Sequence, residues 1–252
     1  MTMLLPAQRL IVAVDPHPVG DRGVEWAREQ VFVLTKMFAG MGVCIKLEST
    51  LRACGYGLIG NVHALGVRDV FADLKLSGLG STLEIDARLL QAARPQFTTI
   101  MYSPDVVAMK AFKAGLPDTK VLCVICPTSW TNKDAWRLYD CSVEEAYCRF
   151  IPYVIEAGLD GVICGAAEAR LVRGLIGKDR IVITPGIRLP GESVQGDIQN
   201  PERVATPFNA IIAGADRIIV GKPITQASDP RAAIEYIIQE IAAAMTARAQ
   251  CE

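Results

Sequence analysis

The stretch Arg68-Asp69-Val70-Phe71-Ala72-Asp73-Leu74-Lys75 reads as a β-strand with charged residues where a structural strand would carry apolar ones. Successive side chains of a strand point to opposite faces, so Val70, Ala72 and Leu74 share one face while Asp73 and Lys75 share the other. If the apolar set packs against helices, both charges project to the opposite face near the C-terminal end of the strand. Burying ionic groups costs on the order of several kcal/mol each unless they are paired. A barrel interior serving packing alone would fill that layer with Val, Ile or Leu. The strand therefore ends in a candidate site.

Similar short apolar, β-branched-rich runs lie on either side: Arg9–Asp15, Gly42–Leu47, Phe97–Ser103, Lys120–Cys126, Leu159–Gly165, Arg180–Gly186 and Asp216–Lys222. With Arg68–Lys75 they number eight. Stretches of helical period separate them, as expected of parallel βα units with both sheet faces covered. Ser103-Pro104-Asp105 reads as an N-cap followed by proline at the first helical position. Ser142-Val143-Glu144-Glu145 has capping-box spacing, and Gly115 and Gly158 read as residues that close helices. No linker or composition break divides the chain, so the expectation is one (β/α)8 TIM barrel over residues 1–252, with an open doubly wound sheet as the alternative.

The chain has 252 residues, 51% of them hydrophobic and 21% charged, and a formal net charge of −1. No global positive field is available for nucleic acid or an anionic membrane surface, so neither is expected as a partner and an anionic ligand must meet a local cluster. Met1 to Ala7 leads almost directly into a strand-like run, and no apolar stretch reaches transmembrane length; a cytoplasmic protein is expected. Five of the eight cysteines (Cys44, Cys123, Cys126, Cys148 and Cys164) fall in apolar segments, which suits buried thiols better than a disulfide framework. Cys123 and Cys126 have metal-ligand spacing, but the alternation of their run would turn them to opposite faces. His17 and His63 are the only histidines, so no metal site is expected.

Asp15 and Lys46 stand at the ends of the first two strands, in positions equivalent to Asp73 and Lys75. The expectation is an alternating Lys–Asp–Lys–Asp cluster whose carboxylates keep the lysines charged and able to donate a proton. Across the barrel, Thr184-Pro185-Gly186-Ile187-Arg188 and Val220-Gly221-Lys222 follow strands seven and eight, where barrels often hold phosphate. Gly186 and Gly221 allow close backbone approach, while Arg188 and Lys222 bring charge. The segments Pro127–Ser142 and Arg188–Pro207 are long for βα connections, and the second is polar and glycine-punctuated like a lid.

Taken together, Val12–Asp15, Ile45-Lys46, Ala72–Lys75 with Thr82, Pro127–Ser129, Thr184–Arg188 and Val220–Gln226 resemble the orotidine 5′-phosphate decarboxylase family over nearly the whole chain. That resemblance implies a homodimer, acting without cofactor, that converts orotidine monophosphate to uridine monophosphate. It implies Lys75 as proton donor, Asp73 crowding the substrate carboxylate, and Lys46 and Asp15 on the ribose hydroxyls. Ser129 would meet the pyrimidine and Thr82 the ribose of the neighbouring subunit's ligand. Pro185, Gly186, Arg188, Gly221 and Lys222 would line the phosphate end, with Gln195 or Gln199 from the lid. A related phosphosugar lyase or decarboxylase and a non-catalytic nucleotide-phosphate binder are the alternatives.

The chain departs from the family pattern at three places. Asp-x-Lys-x-x-Asp becomes Asp73-Leu74-Lys75-Leu76-Ser77-Gly78, so the second aspartate, which the partner subunit normally contributes, is glycine. Lys222 replaces the expected arginine, and Tyr102-Ser103-Pro104-Asp105 replaces His-Ala-Ser-Gly. Glu84 and Asp86 lie too far along the chain to be obvious replacements for the absent carboxylate.

Overall fold

The computed structural model describes residues 4–18, 20, 22–190 and 204–250. Eight parallel strands follow one another around a closed barrel: β1 (Leu10–Ala13), β2 (Cys44–Leu47), β3 (Val70–Leu76), β4 (Phe97–Met101), β5 (Lys120–Val124), β6 (Gly161–Ile163), β7 (Ile181–Thr184) and β8 (Arg217–Val220). The register Leu10↔Ile218 and Val12↔Val220 joins β8 to β1. This closure excludes the open doubly wound sheet. The strands are mostly shorter than the apolar runs that announce them, because staggered neighbours in a tilted barrel share ladder partners only over their middles.

Strand alternation sorts the core into two layers. Ile11, Cys44, Phe71, Phe97, Leu122, Ile183 and Ile219 fill the barrel, with Phe71 and Phe97 edge to face at 5.8 Å between ring centroids. Val70, Ala72 and Leu74 join the larger layer under the helices, as their alternation requires. The charged pair is thus left facing the barrel.

The connections hold helices α1 (Val24–Phe38), α2 (Ser49–Cys54), α3 (Gly57–Ala64), α4 (Gly80–Ala93), α5 (Val106–Ala114), α6 (Asn132–Tyr139), α7 (Val143–Glu156), α8 (Ala169–Ile176), α9 (Pro207–Ile212), α10 (Lys222–Thr225) and α11 (Pro230–Ala249). Ser142 caps α7 through its capping box as expected, but the cap of α5 is Asp105 rather than Ser103: the Asp105 side chain accepts the Ala108 N–H at 2.9 Å. Gly158 has the left-handed backbone of a helix-closing residue, whereas Gly115 keeps φ −72°. A Cβ at 115 would sit 2.9 Å from that of Ala87, so packing of α5 against α4 is what requires glycine there.

The long connection after β5 is not open loop, since α6 occupies it and Tyr139 donates a hydrogen bond to the Ile125 carbonyl at 3.0 Å. Two expectations about cysteines need correction. Cys148 is exposed on α7, and Cys123 and Cys126 both lie in the helix-facing core because β5, and its alternation, ends at Val124. Burial pushes the Cys44 and Cys123 thiols far above their ordinary range, which leaves them unreactive. Among the described residues, no helix is long and apolar enough to cross a membrane.

Candidate active site

The site begins with an irregularity in β3. Ala72 pairs with Thr98 and Leu76 with Ile100, so β3 carries two extra residues between these contacts and bulges. Lys75 sits in the bulge with a left-handed backbone, φ +50°. Thr99 on β4 bridges the gap: its hydroxyl accepts the Lys75 N–H at 2.9 Å and donates to Asp73 Oδ1 at 2.8 Å. A bulge secured from the neighbouring strand is what aims Asp73 and Lys75 at one point.

At that point four side chains form a closed ring. Lys46 Nζ and Lys75 Nζ each donate to Asp73 Oδ2 at 3.0 Å. Lys75 Nζ also donates to Glu48 Oε1 at 2.7 Å, and Lys46 Nζ to Glu48 Oε2 at 2.9 Å. Two cations and two anions alternate. Burial alone would raise the Asp73 carboxyl, but Lys46 and Lys75 overcome it and hold Asp73 well below the usual carboxylate range. Burial would likewise lower Lys46, yet Asp73 and Glu48 more than offset it and keep the ammonium charged.

The expected alternation is present, but its fourth member is Glu48 and not Asp15. Asp15 is engaged elsewhere: Oδ1 accepts the N–H groups of Thr50 at 2.9 Å and Glu48 at 3.3 Å, and Oδ2 accepts that of Ser49 at 3.0 Å. These are the first donors of α2, which has no side-chain cap of its own. Burial works to raise the Asp15 carboxyl, and the backbone donors of Thr50 and Ser49 with the charge of Lys46 bring it below its ordinary value.

The ring forms one wall of a cavity of about 400 Å³ at the C-terminal mouth of the barrel. Lys46, Asp73, Lys75, Ser129, Pro185, Gly186, Arg188, Gly221 and Lys222, predicted from widely separated parts of the sequence, all line it, together with Glu48. Gly186 has φ +78°, a conformation that favours glycine, and a backbone bridge from Ile187 to Ala205 steadies the segment leading to Arg188. Thr82 does not line the cavity; it is exposed on α4 beside Gly78. Gln195 and Gln199, and with them most of the lid-like segment, lie outside the described residues.

A model of the orotidine 5′-phosphate decarboxylase / HUMPS family matches residues 8–237. The chain belongs to this family. Orotidine 5′-phosphate decarboxylase of Methylobacterium sp. (strain 4-46) is 35% identical over 246 residues, spanning 96% of this chain and 98% of the relative. The Caulobacter sp. (strain K31) protein of the same name is 39% identical over 235 residues, 93% and 97% of the two chains. Among solved structures, orotidine 5′-phosphate decarboxylase from Lactobacillus acidophilus superposes with a TM-score of 0.72 at 27% identity, covering 93% of this chain and 99% of that one.

Within the orotidine 5′-phosphate decarboxylase / HUMPS family, then, this chain keeps the Asp-x-Lys core of the pattern at 73–75 and has glycine at 78. Gly78 is exposed and does not line the cavity. Sequence reading missed two residues of the site, Thr99 and Glu48. Glu48 could have been found by the rule that found Asp73 and Lys75, since it stands two residues beyond Lys46. Thr99 left no such signal, because a threonine in a strand is ordinary.

Proposed function

We propose that this chain decarboxylates orotidine 5′-monophosphate to uridine 5′-monophosphate, with Lys75 as the proton donor, and that residues 1–252 act as one domain. The observation that carries the reading is the opposition of two charge clusters across a single cavity: the Lys46–Glu48–Asp73–Lys75 ring on one wall, Arg188 and Lys222 on another. The dianionic phosphate suits the wall of Arg188, Lys222, Gly186 and Gly221, where charge-assisted hydrogen bonds and open backbone are available. Anchored there, the nucleotide extends its pyrimidine past Ser129 toward the ring.

In the reaction the bond between the pyrimidine carbon and its carboxylate breaks, carbon dioxide leaves, and the electron pair stays on carbon. Lys75 Nζ delivers a proton to that carbon and recovers one from solvent. Asp73, held ionised, places negative charge near the substrate carboxylate and favours its departure. Lys46 reaches the ribose hydroxyls. A homodimer fits the reading, because Thr82 is exposed and away from its own cavity, while Leu79 and Val107 nearby are 77% and 78% exposed apolar side chains in want of a cover.

The test is direct: purified protein mixed with orotidine monophosphate should discharge the orotate absorbance and yield uridine monophosphate. Binding of uridine monophosphate without turnover of the substrate would reject catalysis and leave a nucleotide-phosphate binder.

A further inference from the structure

We propose that Glu48 is the positioning residue that completes the lysine cluster from within the same chain, taking the place of the carboxylate absent at position 78. The turnover part of this inference rests on the decarboxylase reading above; the charge-balance part does not.

The charge count makes the case. Lys46 and Lys75 bring two positive charges into a site where their side chains are 9% and 31% exposed, and Asp73 alone answers with one negative charge. Glu48 supplies the second, and it does so symmetrically, giving one oxygen to each lysine. The charged groups facing Lys75 across the site are thus Glu48 and Asp73 beside it, Lys46 behind them, and Arg188 and Lys222 over the cavity. Removing Glu48 leaves two ammonium groups sharing one carboxylate.

Glu48 is built in. Its backbone stands at the junction of β2 and α2 with φ −136° and ψ −90°, and Asp15 holds that junction by accepting three consecutive N–H groups, that of Glu48 among them. The Arg52 N–H donates to the Glu48 carbonyl at 3.1 Å. A carboxylate on so fixed a backbone gives Lys75 one preferred direction, and does so in an isolated chain.

Position 78, by contrast, has a backbone that favours glycine. Gly78 has φ +153°, a conformation L-residues rarely adopt, although a Cβ there would meet Thr82 only at an ordinary contact distance of 3.6 Å. Neither Glu84 nor Asp86 on α4 lines the cavity. Glu48 is the carboxylate besides Asp73 that, among the described residues, touches either lysine.

Three variants test the idea: Glu48→Gln, which keeps shape and removes charge; Glu48→Asp, which keeps charge; and the double change Glu48→Gln with Gly78→Asp. With Glu48→Gln, kcat should fall on the order of a hundredfold with KM changed by no more than about threefold, as expected when proton delivery is impaired. Glu48→Asp should recover part of the loss. The double variant should recover none, because the backbone at position 78 favours glycine and the position does not line the cavity. Independently of turnover, acylation of Lys46 and Lys75 by an amine-directed reagent, read by peptide mass spectrometry, should be several-fold faster in Glu48→Gln than in the native protein. Unchanged labelling together with unchanged kcat would overturn the proposal, as would recovery of activity when Glu48→Gln and Lys75→Ala chains are co-assembled, since only a carboxylate acting between chains could restore it. A native protein inert toward orotidine monophosphate would reject the decarboxylase reading alone, and the labelling rates would still decide the role of Glu48.

Discussion

Thr99 Oγ1 lies 2.8 Å from Asp73 Oδ1 and donates to it, so a buried carboxylate of β3 is held in place by a hydroxyl of β4. The other carboxylate oxygen is thereby left to both lysines. Thr99→Val preserves volume but removes that donor and the acceptor of the Lys75 N–H. We expect a loss of about 1–3 kcal/mol in urea unfolding, the cost of leaving a charged buried group short of a partner. Turnover should fall more than affinity for uridine monophosphate; native stability in this variant would mean that the bulge holds without Thr99.

Lys75 and Lys222 should separate chemistry from binding. Lys75→Ala should abolish turnover while uridine monophosphate still binds within a few-fold of native, because the lysine acts chiefly in the transition state. Lys222→Ala should weaken uridine monophosphate by roughly ten- to a hundredfold, the worth of a charged hydrogen bond, and should not change the affinity for unphosphorylated uridine. Calorimetric titration of both variants with both ligands distinguishes the two roles.

Acid should expose the capping role of Asp15. Its carboxyl and that of Asp73 both titrate below the ordinary 3.8 in the folded chain. The unfolded chain therefore takes up protons first as pH falls. The stability these groups contribute is whole above pH 3.8 and is lost as pH drops from there through the folded values. Asp15→Asn should flatten part of that decline in urea midpoints recorded from roughly pH 5 down to pH 2.5, and lower stability by about 1 kcal/mol at neutral pH through the weakened start of α2.

Gly161 and Gly60 should respond oppositely to alanine. A Cβ at 161 collides with the backbone of Ile181 across the β6–β7 ladder, so Gly161→Ala should cost at least about 3 kcal/mol or prevent folding. Gly60 lies in the interior of α3 with open space around it, and Gly60→Ala should add up to about 1 kcal/mol. Thermal melts of the two proteins would show the contrast.

Much of this architecture could be read from residues in a row. The alternation Val70, Ala72, Leu74 against Asp73, Lys75 told which face was which, and it holds in the two core layers. The eight runs and their helical spacers predicted the barrel that β1 and β8 close. What escaped was pairwise and spatial. Equivalence of strand ends would put Asp15 in the ring, yet β1 ends at Ala13 and its following loop delivers Asp15 to the N–H groups of α2. The bulge in β3 depends on the register against β4, which no single strand records. The alternation that would turn Cys123 and Cys126 to opposite faces stops at Val124.

The left-handed turn of Lys75 within β3 carries a further consequence. A lysine with φ +50° is worse off than glycine or asparagine would be in the same backbone, by about 1 kcal/mol or more. Replacing it with glycine or asparagine would relax the main chain but leave Asp73 and Glu48 to share the single ammonium of Lys46, and breaking a buried ion pair costs more, on the order of 3 kcal/mol. The strained main chain is retained by the ion pairs it makes possible, and a laboratory lineage bred only for survival at high temperature would be expected to keep the lysine.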